Sequence, residues 1–361
     1  MKICVYAISK NEEKFVDTWY NSMKEADKIF VLDTGSTDKT VEKLKKLGVN
    51  VFVKEYDFFR FDKARNESLQ LVDEDTDVCV CTDLDEVFNE GWRKELENVW
   101  DKKTNKLRYI YNWKLDENNK PIISFMYEKI HSRANYEWIH PVHEILKFKG
   151  KNEVIKTNNS IILNHYPDST KSRSNYLPLL ELSVKENPTN DRNMHYLGRE
   201  YMYYKQYDKS IDILKKHLTL ETATWIDERA ASMRFIGRCY YCLSNKHEAR
   251  YWYNKAIDEA PHLRDGYVEL ALLEYNENNW NNVYKYCLMA LTIQTKELTY
   301  INEPFSWDYT IYDLLSLSCF YNNKIKEALL WVELALDIDK NNKRLLNNKE
   351  IYINNLKQTN N

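Results

Sequence analysis

The residues best suited to chemistry in this chain are two aspartates that follow a short apolar segment. Residues 77–86 read DVCVCTDLDE, an apolar run that ends in acidic residues. Such a run predicts a buried strand, and open α/β sheets bind ligands at the carboxyl ends of their strands. Asp83 and Asp85 are two residues apart, so on an extended backbone their side chains leave on the same side and could share one divalent cation. The alternative is a solvated strand end followed by a helix cap.

The composition favours a two-domain protein without a nucleic-acid or membrane surface. With 361 residues, 43% of them hydrophobic, the chain can fill two cores. The net charge is only −3, and basic and acidic residues are interspersed, which argues against nucleic-acid or acidic-membrane partners. Seven scattered cysteines predict reduced thiols, and no segment resembles a signal peptide or a membrane span. We therefore expect a cytoplasmic protein.

The first hundred residues alternate between short β-rich segments and amphipathic helical segments. Strands are predicted over 2–8, 28–33, 49–55 and 77–83, and helices over 12–26, 39–47 and 63–71. This alternation is typical of a mainly parallel sheet with right-handed crossovers. Further strands are predicted over 107–113, 122–127 and 160–163. The chain has no GxGxxG or Walker motif, so we expect neither a dinucleotide fold nor a P-loop.

Three more polar segments follow or flank the predicted strand ends and should meet the aspartates at one sheet edge. They are residues 9–13 (SKNEE), 33–40 (DTGSTDKT) and 61–66 (FDKARN). Gly35 permits a tight turn, and the planar guanidinium of Arg65 suits a phosphate or a carboxylate. Each segment alone has an ordinary interpretation as a turn, a cap or a salt-bridged helix face. Their common location favours a ligand site.

These motifs, in this order, closely resemble the family 2 glycosyltransferases with a GT-A fold. The resemblance rests on Lys-Asn-Glu-Glu, Asp-Thr-Gly-Ser-Thr-Asp, Ala-Arg-Asn and Asp-Leu-Asp-Glu. It is strongest for the subgroup fused to tetratricopeptide repeats, which includes the peptide S-glycosyltransferases of glycocin biosynthesis. It implies a nucleotide-sugar donor, usually a UDP-sugar, inversion at the anomeric carbon, and Mn²⁺ or Mg²⁺.

Carried over residue by residue, the resemblance implies a donor site and a metal site. The implied nucleotide-sugar contacts are Ala7, Ser9, Asn11, Glu12, Asp33, Arg65, Asp83 and Leu84, and the implied metal ligands are Asp83, Asp85 and His143. Many family members have a second Asp where this chain has Thr34. Glu144 is the candidate base for the acceptor's proton, with Glu86 as the competing candidate. His165 could contact the phosphates or the metal, or simply pack at the domain junction.

From about residue 173 the strand pattern gives way to helical periodicity with internal repeats. The clearest copy carries Gly237, Tyr240, Ala249, Tyr253, Ala256 and Pro261 at tetratricopeptide spacing, and looser copies contain Gly198, Tyr267 and Tyr312. Residues 295–308 are predicted to be an inserted loop, and 345–361 a capping helix. Such arrays form a groove that commonly binds peptide segments, and this array could also support a homodimer.

The sequence thus predicts an α/β GT-A domain over 1–170 and an all-α repeat domain over 171–361. The predicted function is metal-dependent, inverting transfer from a UDP-sugar to a Ser, Thr or Cys side chain of a peptide or protein. Two alternatives stay open. The acceptor could be a surface or capsular glycan, or the chain could be a non-catalytic repeat scaffold with a degenerate transferase domain.

Overall fold

The computed structural model describes residues 1–168, 170 and 175–359. The chain divides into two compact units, Met1–Glu186 with Leu298–Tyr300, and Asn187–Glu297 with Ile301–Asn361. The domain boundary predicted between residues 170 and 171 falls at Lys171, which lies outside the described residues. The helix Tyr176–Glu186 belongs to the first unit.

The first unit is an α/β domain built on an eight-stranded sheet. Its elements are β1 (Ile3–Ser9), α1 (Val16–Met23), β2 (Lys28–Asp33), α2 (Thr40–Lys46), β3 (Asn50–Val53), α3 (Phe61–Gln70), β4 (Val78–Thr82), β5 (Glu86–Phe88), α4 (Trp92–Val99), β6 (Lys106–Leu115), β7 (Pro121–Ser132), β8 (Tyr136–Ile139), β9 (Ile145–Phe148), β10 (Ile155–His165) and α5 (Tyr176–Glu186). The strand order is β3-β2-β1-β4-β7-β6-β10-β5, and β8 and β9 form a separate pair.

Parallel pairing dominates the half of the sheet that carries the first motifs. Strands β3, β2, β1 and β4 are parallel neighbours, as are β6 and β10, while β7 runs antiparallel to both β4 and β6. All seven residues of β1 are buried, as expected for a strand covered on both faces. Helix α1 buries Val16, Trp19 and Met23, three side chains at helical spacing. The carboxyl ends of β1, β2 and β4 therefore lie side by side.

Several predicted elements differ in length from the observed ones. Helix α1 starts four residues later than predicted because residues 11–15 form a turn, in which Asn11 has φ 55° and donates its N–H to Ser36 Oγ. Strands β7 and β10 are longer than predicted. Their polar residues are paired across the sheet: Arg108 on β6 donates to Glu128 on β7, for example.

The second unit consists of helix pairs followed by a last helix. The elements are α6 (Asp191–Tyr203), α7 (Tyr207–Thr219), α8 (Ile226–Cys242), α9 (Lys246–Glu259), α10 (Arg264–Asn276), α11 (Trp280–Leu291), the 3-10 turn Pro304–Ser306, α12 (Thr310–Tyr321), α13 (Ile325–Ile338) and α14 (Lys343–Thr359). A Cβ on Gly198 would lie 2.4 Å from Leu214, and one on Gly237 would lie 2.5 Å from Tyr253. The helices of a pair thus cross where the repeat pattern places a small residue.

The predicted insert between α11 and α12 packs on the first helices of the second and third pairs. Arg234 on α8 donates to the carbonyl of Ile301 at 2.9 Å, and Asp265 on α10 accepts the N–H of Glu303 at 2.7 Å. The guanidinium of Arg264 lies 3.9 Å from the centre of the Trp307 ring. Residues 301–307, which include the 3-10 turn Pro304–Ser306, therefore lie along α8 and α10. Among the described helices, none has the length and apolarity needed to cross a membrane.

Candidate active site

The turn after β4 carries the two aspartates. Strand β4 ends at Thr82, and the N–H of Glu86 donates to the Asp83 carbonyl at 3.1 Å. The N–H of Asp83 donates to Glu86 Oε2 at 2.8 Å, so the two ends of the turn are tied in both directions. Leu84 is buried in the core of the sheet, which leaves the backbone of residue 84 as its contribution to any ligand site.

Asp83 is held by two cationic side chains. Arg65 Nη2 lies 2.7 Å from Asp83 Oδ1, and Lys129 Nζ lies 3.1 Å from Asp83 Oδ2. Burial acts to raise the pKa of Asp83, but these two neighbours hold that pKa well below its usual range. Asp83 is therefore ionised, and each of its carboxylate oxygens has a cationic partner.

Lys129 was not among the residues predicted from the sequence. It lies on β7, its side chain is 5% exposed, and its Nζ is also 3.5 Å from Glu86 Oε1. Burial acts to lower its pKa, but Asp83 and Glu86 keep the pKa of Lys129 well above its usual value, so the ammonium stays charged. The sequence pattern gives no clear signal for it, because β7 changes register against β6 between Tyr127 and Ile130 and the regular two-residue period is interrupted at Lys129.

Glu86, one of the two candidate bases, is enclosed. Its Oε1 accepts a hydrogen bond from the Tyr111 hydroxyl at 2.7 Å, and its Oε2 accepts the Asp83 N–H. Burial raises the pKa of Glu86, partly opposed by Lys129. Because both oxygens are engaged inside the protein, the geometry gives Glu86 a structural role in the turn and disfavours it as the base.

Arg65 connects the aspartate turn to Glu144, the other candidate base. Arg65 lies on α3 and is 2% exposed. Its Nε donates to Glu144 Oε1, in the loop between β8 and β9, and its guanidinium lies 5.3 Å from the Trp138 ring. Arg65 thus bridges the carboxylates of Glu144 and Asp83. Its predicted contact with the donor stays a prediction.

The two histidines considered from the sequence lie in different surroundings. His143 has φ 52°, and its ring packs edge-on against Tyr176 at 5.9 Å. The carbonyl of Trp113 accepts a hydrogen bond from His165 Nδ1 at 3.0 Å, which leaves Nε2 facing Asp85 Oδ2 at 3.4 Å. Burial acts to lower the pKa of His165, but Asp85 raises it, and the net shift is upward. The carboxylate of Asp85 therefore lies opposite Nε2 of His165.

The predicted metal trio is not assembled. Among the described residues, no three His, Cys, Asp or Glu side chains are grouped so that they could hold a metal ion. Asp83 is committed to Arg65 and Lys129, and His143 packs on an aromatic ring. What the chain does offer is one carboxylate and one imidazole nitrogen, from Asp85 and His165. This pair fits a cation such as Mn²⁺ or Mg²⁺ that takes its other ligands from phosphate oxygens and water.

The end of β2 forms a second part of the candidate site, beside the end of β1. The fully buried carboxylate of Asp33 accepts hydrogen bonds from Ser9 Oγ at 2.8 Å, from the Ser36 N–H at 2.7 Å and from the Gly35 N–H at 3.1 Å. Gly35 has φ 98°, a conformation that favours glycine. Asp33 thus shapes the turn after β2, and its oxygens already accept several donors of the chain.

The remaining predicted donor contacts surround the same turn. Asn11 Oδ1 accepts the N–H of Thr37 at 2.7 Å, and the N–H of Glu12 donates to Thr40 Oγ1 at 2.7 Å. Ala7 is fully buried within β1. The structure thus gathers Ser9, Asn11, Glu12 and Asp33 around the ends of β1 and β2, whereas Arg65, Asp83 and Asp85 gather after β4.

Comparison with known proteins shows which family part of this domain is similar to. Residues 4–154 match the family described as Glycosyl transferase family 2. The match extends from β1 to β9 and includes Asp33, Arg65, Asp83, Asp85 and Glu144, whereas His165 lies outside it. No curated protein matches the chain significantly.

Three solved structures show a low similarity to part of this chain. The pilF protein of Pseudomonas aeruginosa is 11% identical with a TM-score of 0.38, over 49% of this chain and 72% of that chain. YrrB, a TPR protein with an unusual peptide-binding site, is 14% identical with a TM-score of 0.37, over 49% and 83%. MamA of Desulfovibrio magneticus RS-1 is 11% identical with a TM-score of 0.37, over 47% and 87%.

Proposed function

Starting from the glycosyltransferase family 2 domain in residues 4–154, we propose that this chain is a metal-dependent, inverting enzyme that transfers a sugar from a UDP-sugar to a Ser, Thr or Cys side chain of a peptide or protein. The observation that carries the proposal is the arrangement at the carboxyl ends of β1, β2 and β4. There Asp33 and Asp83 are fixed by internal hydrogen bonds, and Asp85 lies opposite a histidine. We retain residues 1–170 as the proposed catalytic domain and 171–361 as the proposed repeat domain.

The nucleoside end of the donor is assigned to the turns after β1 and β2. Ser9, Asn11 and Glu12 border this region, and Asp33 acts by holding the backbone of residues 35 and 36 in place. Backbone N–H and C=O groups positioned in this way can recognise the edge of a base without a flexible side chain. Ala7 and Leu84 contribute backbone because their side chains lie in the core.

The diphosphate end is assigned to Asp85 and His165. These two side chains would hold the divalent cation, which when bound acts as a Lewis acid toward the departing diphosphate. The bond from His165 Nδ1 to the Trp113 carbonyl fixes the ring so that Nε2 faces Asp85. Arg65 and Lys129 keep Asp83 ionised beside them, and His143 is left on the acceptor side with Glu144.

Glu144 is the proposed base. It would accept the proton of an acceptor hydroxyl as oxygen attacks the anomeric carbon, while the bond from that carbon to the diphosphate breaks on the opposite face. Arg65 orients the Glu144 carboxylate through Oε1. A thiol acceptor needs much less base assistance, because a few per cent of thiol is already ionised at neutral pH.

The repeat unit is the proposed binding region for a peptide acceptor. The chain's own residues 301–307 lie along α8 and α10 and are bonded there through backbone groups, which supports the idea that the first helices of these repeats accommodate a peptide backbone. A cytoplasmic location and a homodimer formed through the repeats stay predictions.

Calorimetric titration with UDP, UDP-glucose and UDP-N-acetylglucosamine, each with Mn²⁺ and with EDTA, tests the donor assignment. We expect binding that requires Mn²⁺, its loss in Asp85→Ala, and its retention in Asp17→Ala, which removes an aspartate that is 66% exposed. Thermal unfolding should be unchanged in both variants. Full binding by Asp85→Ala with Mn²⁺, or no binding by the unmodified protein, would overturn the donor assignment.

The acceptor class is then tested with the donor that binds best. Transfer to Ser, Thr or Cys peptides supports the proposal. If peptides are ignored and sugar acceptors are extended, the acceptor is a glycan and the peptide part of the proposal fails. If no acceptor is used and no donor is bound, the transferase-like domain is a degenerate scaffold.

A further inference from the structure

Lys129 joins two acidic residues of the same turn from inside the sheet. It lies on β7, which pairs antiparallel with β4, so that Val80 faces Ile130. Its Nζ lies 3.1 Å from Asp83 Oδ2, 3.5 Å from Glu86 Oε1 and 4.8 Å from the centre of the Tyr127 ring. This ammonium is almost fully enclosed, and a buried cation is costly unless carboxylates compensate it.

The carboxylates of Asp83 and Glu86 are in turn compensated by the ammonium of Lys129. Asp83 and Glu86 belong to one turn and both approach the same Nζ, so without it the buried Glu86 and the partly exposed Asp83 would repel each other. Arg65 compensates the other oxygen of Asp83, and its second carboxylate partner is Glu144. Lys129 is therefore the cation that Asp83 and Glu86 share.

This arrangement leaves the middle acid of the turn with a different environment. Within the described chain, the ion-pair partner of Asp85 is His165, and the Asp85 carbonyl accepts the N–H of Tyr166 at 2.8 Å. The acids on both sides of Asp85 are directed toward Lys129, which faces the sheet interior. The turn thus directs two carboxylates, those of Asp83 and Glu86, to Lys129 and the third, that of Asp85, to His165.

We propose that Lys129 is a positioning residue for sugar transfer, which holds Asp83 and Glu86 so that the turn presents Asp85 to the cation and diphosphate of the donor. This inference rests on the donor site proposed above. Lys129 lies outside the motifs from which the site was predicted, and it does not touch the donor. Lys129 would affect donor binding through the conformation of the turn at residues 83–86.

The test compares Lys129→Met with Lys106→Met. Lys106 is a matched control: its side chain is also nearly buried, and it also joins two carboxylates, those of Glu128 at 3.1 Å and Glu153 at 2.9 Å, but away from the aspartate turn. Both variants should lose stability. Lys129→Met alone should weaken UDP binding in Mn²⁺ and raise the Mn²⁺ concentration needed for half-maximal binding, each by about 10- to 100-fold, as for other residues that orient metal ligands. Lys129→Arg should restore part of this loss.

A second measurement works without any donor. Hydrogen exchange should be faster in Lys129→Met than in the unmodified protein at the amides of Asp83, Glu86 and Tyr166, whose acceptors belong to the turn, and unchanged there in Lys106→Met. Unchanged exchange at these amides, or equal donor affinity in the two lysine variants, would overturn the inference. If the unmodified protein bound no UDP, the proposed donor would be wrong, and hydrogen exchange would still decide the role of Lys129 in the turn.

Discussion

The Arg65→Met variant should be markedly less stable than the protein with its native arginine. Arg65 is 2% exposed and pairs with both Asp83, at 2.7 Å, and Glu144. Removing one partner of a buried ion pair leaves charge without compensation and typically costs about 3–5 kcal/mol. The Asp83 side chain is 34% exposed, so water screens part of the loss, and we expect about 3 kcal/mol.

Arg93→Met is the control for this variant. Arg93 also joins two carboxylates, those of Asp27 at 3.0 Å and Glu97 at 3.0 Å, but its side chain is 25% exposed. More exposed pairs are worth about 0.2–1 kcal/mol each, so this variant should lose about 1 kcal/mol. Both arginines belong to the first unit, and the substitution is the same. The comparison therefore isolates the effect of burial.

Differential scanning calorimetry measures the difference. For a unit of this size, 1 kcal/mol corresponds to roughly 2–4 °C in Tm, so Arg65→Met should lower the Tm by about 6–12 °C and Arg93→Met by about 2–4 °C. Equal shifts would refute the reasoning, because they would mean that the network of Arg65, Asp83 and Glu144 contributes no more than a surface network.

Three further outcomes are expected. In steady-state kinetics, Glu144→Gln should lower kcat for a serine peptide by about 100- to 10,000-fold and kcat for a cysteine peptide far less. Equal losses of kcat for the two peptides would exclude Glu144 as the base. Burial lowers the pKa of His131 from 6.5 to about 3. As the pH falls below 6.5, the His131 side chain therefore takes up a proton in the unfolded state while it is still neutral in the folded state. Folding should therefore weaken by about 2 kcal/mol between pH 7.5 and pH 5, and urea unfolding of His131→Gln should lack this part of the pH dependence. Gly237→Ala places a Cβ 2.5 Å from the Tyr253 ring and should destabilise the second unit by about 1–3 kcal/mol in thermal unfolding, with UDP binding retained.

Much of the α/β architecture could be predicted from local patterns. Strand β2 has the predicted bounds 28–33, because an apolar run after a polar residue and before a turn motif marks both ends. The same reasoning placed Asp83 and Asp85 directly after a buried strand. Gly198 and Gly237, in two different helix pairs, also lie where the repeat pattern requires small residues.

The parts that were not predicted depend on contacts between distant segments. Lys129 and Asp83 are 46 residues apart in the chain, and nothing local to either residue indicates that they meet. The pairing of Asp85 with His165 rather than His143 also depends on distant segments, because it is set by the place of β10 between β5 and β6 in the sheet. The full length of β7 was missed because Glu128 and Lys129 interrupt its apolar pattern. Glu128 is compensated by Lys106 and Arg108 on the neighbouring β6, and Lys129 by Asp83 and Glu86 in and after the aspartate turn.

The position of residues 301–307 along α8 and α10 has a consequence for competition. A segment tethered to its own binding surface is present there at an effective concentration of roughly millimolar. A free peptide that made the same contacts would have to exceed that concentration to replace it, because Arg234 and Asp265 already bond to the backbone of Ile301 and Glu303. If the acceptor is a peptide, as proposed, the repeat surfaces that select it at cellular concentrations should be ones other than this part of α8 and α10.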